Sequence, residues 1–137
     1  MRRVVAVLAL LASSFVVTSP ASAASCDGVK VVVDFTALGG GVETGCAPGD
    51  PASGLAALTE AGFPYTLVPR QSAPMVCTIK QLPNPCRKPT SVYWSYWHAT
   101  PGGTWTYSNS GAGSYDPAPG TVEGWSYGTG VAPGAAP

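Results

Sequence analysis

Between Ser91 and Gly113 the chain concentrates three of its four tryptophans, three of its six tyrosines and its only histidine, in the run SVYWSYWHATPGGTWTYSNSGAG. A β-strand sends successive side chains to opposite faces. VYWSYWH therefore places Val92, Trp94, Tyr96 and His98 on one face and Tyr93, Ser95 and Trp97 on the other. Rings stand on both faces, whereas a single packed helix covers only one face of a small sheet. One set of rings is thus committed to a core, and the other is left for solvent, a loop or a ligand. Pro101-Gly102-Gly103 supplies the turn that folds this strand back on TWTYS (Thr104–Ser108),. There Trp105 and Tyr107 share a face and can meet the rings opposite,. Histidine is a rare choice for an apolar core, so the set containing His98 is expected to be the uncommitted one.

The chain opens with Met1-Arg2-Arg3, continues apolar from Val4 to Val17 and reaches the small residues SPASA at Ser19–Ala23. This is the pattern of a secretory signal peptide over residues 1–23,. The run is shorter than the roughly 20 apolar residues of a transmembrane helix, so a secreted, extracellular mature form without membrane insertion is expected. AASC before Cys26 lacks the larger aliphatic residue of a lipidation site, which argues against a lipid anchor there. In an oxidising compartment the four cysteines read as two disulfides,. Three pairings are open; the local one, Cys26–Cys46 with Cys77–Cys86, closes two modest loops worth roughly 2–4 kcal/mol each.

The rest of the chain alternates short apolar blocks with turn residues: 17 glycines and 14 prolines accompany only 10% charged residues. That combination describes a turn-rich β domain. VKVVVDF puts Val29, Val31, Val33 and Phe35 on one face and Lys30, Val32 and Asp34 on the other, a half-buried strand,. Gly39–Gly41 form a turn, with Val42–Cys46 returning as a short strand. GDPASGLAALTEAGF is the one helix, with Asp50 as its cap, Pro51 at its first position, Gly62 as its stop, and Leu55, Leu58 and Ala61 on one face,. Further strands are expected at Pro64–Val68, Met75–Lys80, Val92–Trp97, Thr104–Ser108 and Val122–Gly128. The three prolines of QLPNPCRKPT make that segment a loop,. Residues 129–137 form a Pro/Ala/Gly tail with no evident reason to fold, expected to be disordered,. The expectation for 24–128 is an α+β domain: a small, twisted, mostly antiparallel sheet with one packed helix and two disulfides.

Several functions are disfavoured by composition. Seven basic residues face seven acidic ones and two of the basic ones lie in the leader, so there is no electrostatic footprint for nucleic acid,. No HExxH or CxxC occurs, the histidine is single and the cysteines are expected to be oxidised,. The chain therefore reads as a non-enzyme without metal or cofactor. Arg87-Lys88 in the stapled loop raises protease inhibition as a minor alternative, weakened by Pro89.

The succession of strand, leucine-bearing helix (Leu55, Leu58), Val76–Lys80, Tyr93-Trp94, Gly113, Tyr115 with Pro117, and Val122–Tyr127 resembles a β-grasp-like domain of secreted bacterial proteins. That domain is similar to the C-terminal β domain of the vertebrate cobalamin carriers, transcobalamin and intrinsic factor. Trp94, Trp97, His98, Trp105 and Gly111-Ala112-Gly113 together resemble small secreted actinobacterial members of this group. In the carriers the domain closes over a corrinoid held by a large helical domain, which this chain lacks. The resemblance implies a corrinoid as ligand.

Two functional expectations follow. In the first, Trp94, Tyr96, His98, Trp105 and Tyr107 form a recognition face for a small ring-bearing ligand, a corrinoid or a sugar. In the second, the rings stabilise the core of an extracellular protein-interaction or structural module, an accessory of a transporter for example.

Overall fold

The computed structural model describes Val16 and residues 25–137. Apart from Val16, the expected signal peptide lies outside the described residues. The elements are β1 (Gly28–Asp34), a 3-10 turn (Thr36–Leu38), β2 (Val42–Pro48), α1 (Gly54–Glu60), β3 (Tyr65–Leu67), β4 (Val76–Ile79), β5 (Tyr93–Ala99), β6 (Thr106–Tyr107) and β7 (Val122–Gly128). Five strands form one sheet in the order β2-β1-β7-β5-β6, and β3 and β4 form a separate ribbon. All pairings are antiparallel except β1 with β7. The fold is α+β, as expected, with a mixed, mostly antiparallel sheet and two disulfides in the local pairing, Cys26–Cys46 and Cys77–Cys86.

Register decides what each face carries. Tyr96 stands opposite Trp125 and His98 opposite Glu123 on β7, while Val31 and Val33 of β1 lie beside Glu123 and Trp125. On this inner face Val29, Val31, Val33, Trp94, Tyr96 and Trp125 pack against Ala57 and Leu58 of α1, Val76 and Ile79 of β4, and Phe35 and Phe63. The odd-numbered valines and Phe35 enter this core as the alternation in VKVVVDF predicts, but the strand is not half-buried: Val32 at 1% and Asp34 at 8% exposure are covered on the other face as well.

The helix starts later than expected. Ser53, not Asp50, is the cap: its Oγ accepts the Ala56 amide at 3.1 Å. Tertiary partners explain the shift, because the carbonyls of Tyr115 and Ala112 accept the amides of Gly54 and Leu55 at 3.0 Å each. These bonds satisfy the amides that a helix N-terminus leaves orphaned and tie it to the 112–115 loop. Gly54 is required here, since a β-carbon would collide with the Tyr96 hydroxyl. Gly62, at φ 93°, ends the helix as expected,.

The opposite, outer face is also covered, which overturns two expectations. Residues 129–137 are not a free tail: Gly134 N donates to Asp34 Oδ2 at 2.7 Å, Ala135 O accepts from Trp105 Nε1 at 2.8 Å, and Pro137 O accepts from Gly102 N at 3.1 Å. The Trp105 ring lies over Gly124, where a β-carbon would strike it. Nor is the His98-bearing set the uncommitted one. Trp94 and Tyr96, at 4% and 7% exposure, belong to the inner core.

Candidate functional site

The five residues expected to make one binding face are divided by strand parity. Trp94 and Tyr96 fill the space under α1, with Trp94 Nε1 donating to Leu82 O at 3.1 Å and Tyr96 stacked on Trp125 at 4.6 Å. His98 stands at the rim of the same face. Trp105 and Tyr107 are on the outer face, where Tyr107 makes an edge contact with Trp97 (5.1 Å) and its hydroxyl meets that of Tyr93 (3.1 Å). Among the five, only Tyr107 is broadly exposed, at 45%.

His98 is held from four sides. Its Nδ1 lies 2.9 Å from Glu123 Oε2 and its Nε2 lies 2.7 Å from Ser108 Oγ. The ring stacks on Tyr115 at 3.8 Å and meets Tyr96 edge-on at 4.6 Å. Glutamate, histidine and serine in this order match the connectivity of a nucleophile triad, but the serine is wired differently. Ser108 Oγ donates to Ser110 O at 2.7 Å and accepts the Ser110 amide at 3.2 Å. With its one proton given to a carbonyl, the hydroxyl accepts a hydrogen bond from His98 Nε2–H, and Nδ1 then accepts a hydrogen bond from the protonated Glu123 carboxyl.

The electrostatics agree with that proton order. Burial pushes the Glu123 carboxyl up to about 7, and burial lowers His98,. Both groups are therefore driven toward their neutral forms. The chain Glu123 to His98 to Ser108 to Ser110 is satisfied with neutral members throughout, and it fixes the loop leaving β6. Burial, then the neighbouring Glu123 charge, raises the Tyr96 phenol. Beside His98 an open depression of about 550 Å³ is lined by Thr100, Thr104, Thr106, Thr121 and Tyr115.

A second concavity opens along the free edge of β5. Its volume is about 150 Å³, and its walls include Leu55, Met75, Val76, Trp94, Tyr107 and Ala112, with no charged side chain. Residues from both faces of β5, Tyr93 and Ser95 as well as Trp94 and Tyr96, line it, which places it at the strand edge. Ser108 N donates to Tyr96 O at 2.9 Å, so the even-numbered residues direct their backbone groups away from β7. β6 pairs with β5 only at Trp97 and His98. By the alternation of the ladder, the peptide groups of Trp94 therefore face this cleft. Among the described residues, Trp125 Nε1 is a buried side-chain polar atom that lacks a partner in the protein, whereas the Tyr96 hydroxyl sits against Gly54 and reaches the Glu123 carboxyl. Trp125 lines the cleft.

Leu55, Met75 and Ala112 were not singled out from sequence as site residues, nor were Glu123, Ser108 and Tyr115. Glu123 carried a readable signal: in VEGWSYG it has the parity of Trp125, and a carboxylate on an apolar strand face requires a buried partner. No group of three metal-ligating side chains occurs among the described residues, and none of their helices is long and apolar enough to cross a membrane. Comparisons with protein-family models, with curated proteins and with solved structures found no match.

Proposed function

We propose that this chain is an extracellular, non-catalytic binding module that takes an uncharged apolar ring or side chain into the cleft along β5. The observation that carries this reading is the cleft itself: apolar and aromatic walls, no charge, and an unpartnered buried indole N–H on Trp125, which lines it. Ligand sites commonly combine an apolar lining with a few polar groups of this kind. An apolar cavity of about 150 Å³ holds a benzene-sized group, so the matching ligand presents one ring bearing a hydrogen-bond acceptor. The two disulfides support the extracellular assignment,. A non-catalytic role is supported by the serine, whose proton is engaged by Ser110 O rather than by the imidazole.

The corrinoid implied by the resemblance is far larger than this cleft, so only a peripheral substituent of such a macrocycle would enter. His98 has both ring nitrogens engaged within the protein, which weighs against its serving as an axial ligand. Thermal unfolding with increasing benzyl alcohol tests the proposal. A ligand that binds only the folded state raises the melting temperature with concentration. The expected result is a saturable rise in the wild type that is lost in Ala112→Leu, which fills the cleft. A fall at every concentration, as for a denaturing alcohol, contradicts it.

A further inference from the structure

The outer face shows a different recognition geometry, independent of the β5 cleft. The Trp105 ring and Pro133 lie over Gly124, and the Asp34 carboxylate holds the Gly134 amide, so these residues bound the groove that seats the tail; Trp97 stands opposite Gly124 on the neighbouring strand. Trp97 is fixed from below, its Nε1 donating to Ser95 Oγ at 2.8 Å while Ser95 Oγ donates to Ser126 O at 2.9 Å. Gly124 admits both a tryptophan and a proline against the backbone: a β-carbon there would meet Trp105 and would lie 3.0 Å from Pro133 Cγ.

The segment in the groove is VAPGAAP, residues 131–137. It adds no strand to the sheet. Its anchors are a buried proline ring, a carbonyl accepting from an indole N–H, a second carbonyl accepting from a loop amide, and an amide donating to a carboxylate. Aromatic grooves recognise proline-rich extended chains through ring packing and hydrogen bonds to backbone carbonyls. Every polar contact made here by the tail comes from main-chain atoms, so what is read is an extended chain with proline beside Trp105. Val131 remains 65% exposed, and the segment follows β7 after only Thr129 and Gly130.

We propose that this groove is a recognition site for proline- and alanine-rich extended polypeptide, that residues 131–137 occupy it in cis, and that a segment of the same chemistry from another protein exchanges with them. The groove contributes ring surface and an amide acceptor, and the tail acts as an intramolecular competitor. Tethering places that competitor at an effective concentration in the millimolar range, so a trans segment binds the intact chain weakly and gains when the cis contact is weakened.

Two measurements on the full chain test this. The first is native-state hydrogen exchange of the Gly134 amide, which Asp34 holds. Exchange far faster than that of the central β1 amides shows that the groove opens without unfolding; exchange only at their rate overturns the proposal. The second is anisotropy of a fluorescein-labelled GVAPGAAP peptide added to the wild type and to Pro133→Asp, which sets a carboxylate against the groove near Asp34. At least about tenfold tighter binding to Pro133→Asp is expected, with loss of that gain when Trp105→Phe removes the indole donor. A folded Pro133→Asp that binds no better than wild type, or a Pro133→Asp that fails to fold, overturns exchange. A wild-type dimer abolished by Pro133→Asp overturns the assignment to a foreign chain, since a second copy then supplies the segment.

Discussion

Glu123 Oε2 lies 2.9 Å from His98 Nδ1, and the glutamate side chain is only 1% exposed. With its carboxyl pushed up to about 7 from an ordinary 4.5, Glu123 keeps its proton in the folded chain over a range in which the unfolded chain has lost it. Folding then binds a proton, so this group's contribution to stability is present below about 4.5 and is lost as pH rises through about 7,. His98, lowered below 6.5, has the opposite sign: it costs stability as pH falls below 6.5, where the unfolded chain takes up the proton first. The larger displacement of Glu123 sets the net direction. Urea unfolding should show stability falling between pH 4.5 and 7 by on the order of 2–3 kcal/mol,. Glu123→Gln, which keeps a donor for Nδ1 and cannot ionise, should remove that fall; an unchanged slope would show that another group titrates.

His98→Ala breaks the same chain in the middle. Ser108 Oγ loses one partner and a buried carboxyl loses its acceptor. A loss of about 1–3 kcal/mol is expected from the orphaned groups, together with faster hydrogen exchange of the Ser108 amide, which bonds Tyr96 O. Unchanged stability with unchanged exchange would mean that His98 does not hold the loop after β6.

Gly124→Ala addresses the outer groove. The added methyl meets the Trp105 ring and the Pro133 ring at once, and overpacking of this kind costs roughly 1–3 kcal/mol. Calorimetry should show that loss, with the Trp105 indole N–H shifting in the NMR spectrum as its bond to Ala135 O is strained. An unshifted indole resonance would contradict the close stacking over Gly124.

Ser53→Ala and Asp50→Ala separate the cap found in the structure from the one expected from sequence. Ser53 accepts the Ala56 amide, so its loss should cost about 1 kcal/mol. Asp50→Ala should cost little. The reverse ranking in denaturant unfolding would place the start of α1 where composition alone suggests it.

These cases show what was legible. Alternation in VKVVVDF was sufficient to sort β1, because the strand is central and each valine obeys the period of two. Of the three cysteine pairings that the sequence left open, the structure has the local one, Cys26 with Cys46 and Cys77 with Cys86. The commitment of the two ring sets was not legible, since it depends on which strand lies beside β5. β7 brings Glu123 opposite His98, and that pairing removes the penalty that made histidine look foreign to the inner face. The tail failed for the same reason. VAPGAAP has no core of its own, and its anchors, Asp34, Gly102 and Trp105, come from distant parts of the chain. Helix capping also yielded to tertiary context once Ala112 O and Tyr115 O claimed the first amides.

The Trp125 indole N–H reports directly on the cleft along β5, being buried without a protein partner on a residue that lines it. Titration of the isotope-labelled chain with benzyl alcohol, followed by two-dimensional NMR, should move the Trp125 indole resonance and the Leu55 methyl resonances together along one saturable millimolar isotherm. The Trp105 indole on the outer face should stay in place. A Trp125 resonance that does not move, or that moves only in step with signals over the whole surface, would contradict the assignment of this cleft as the binding site.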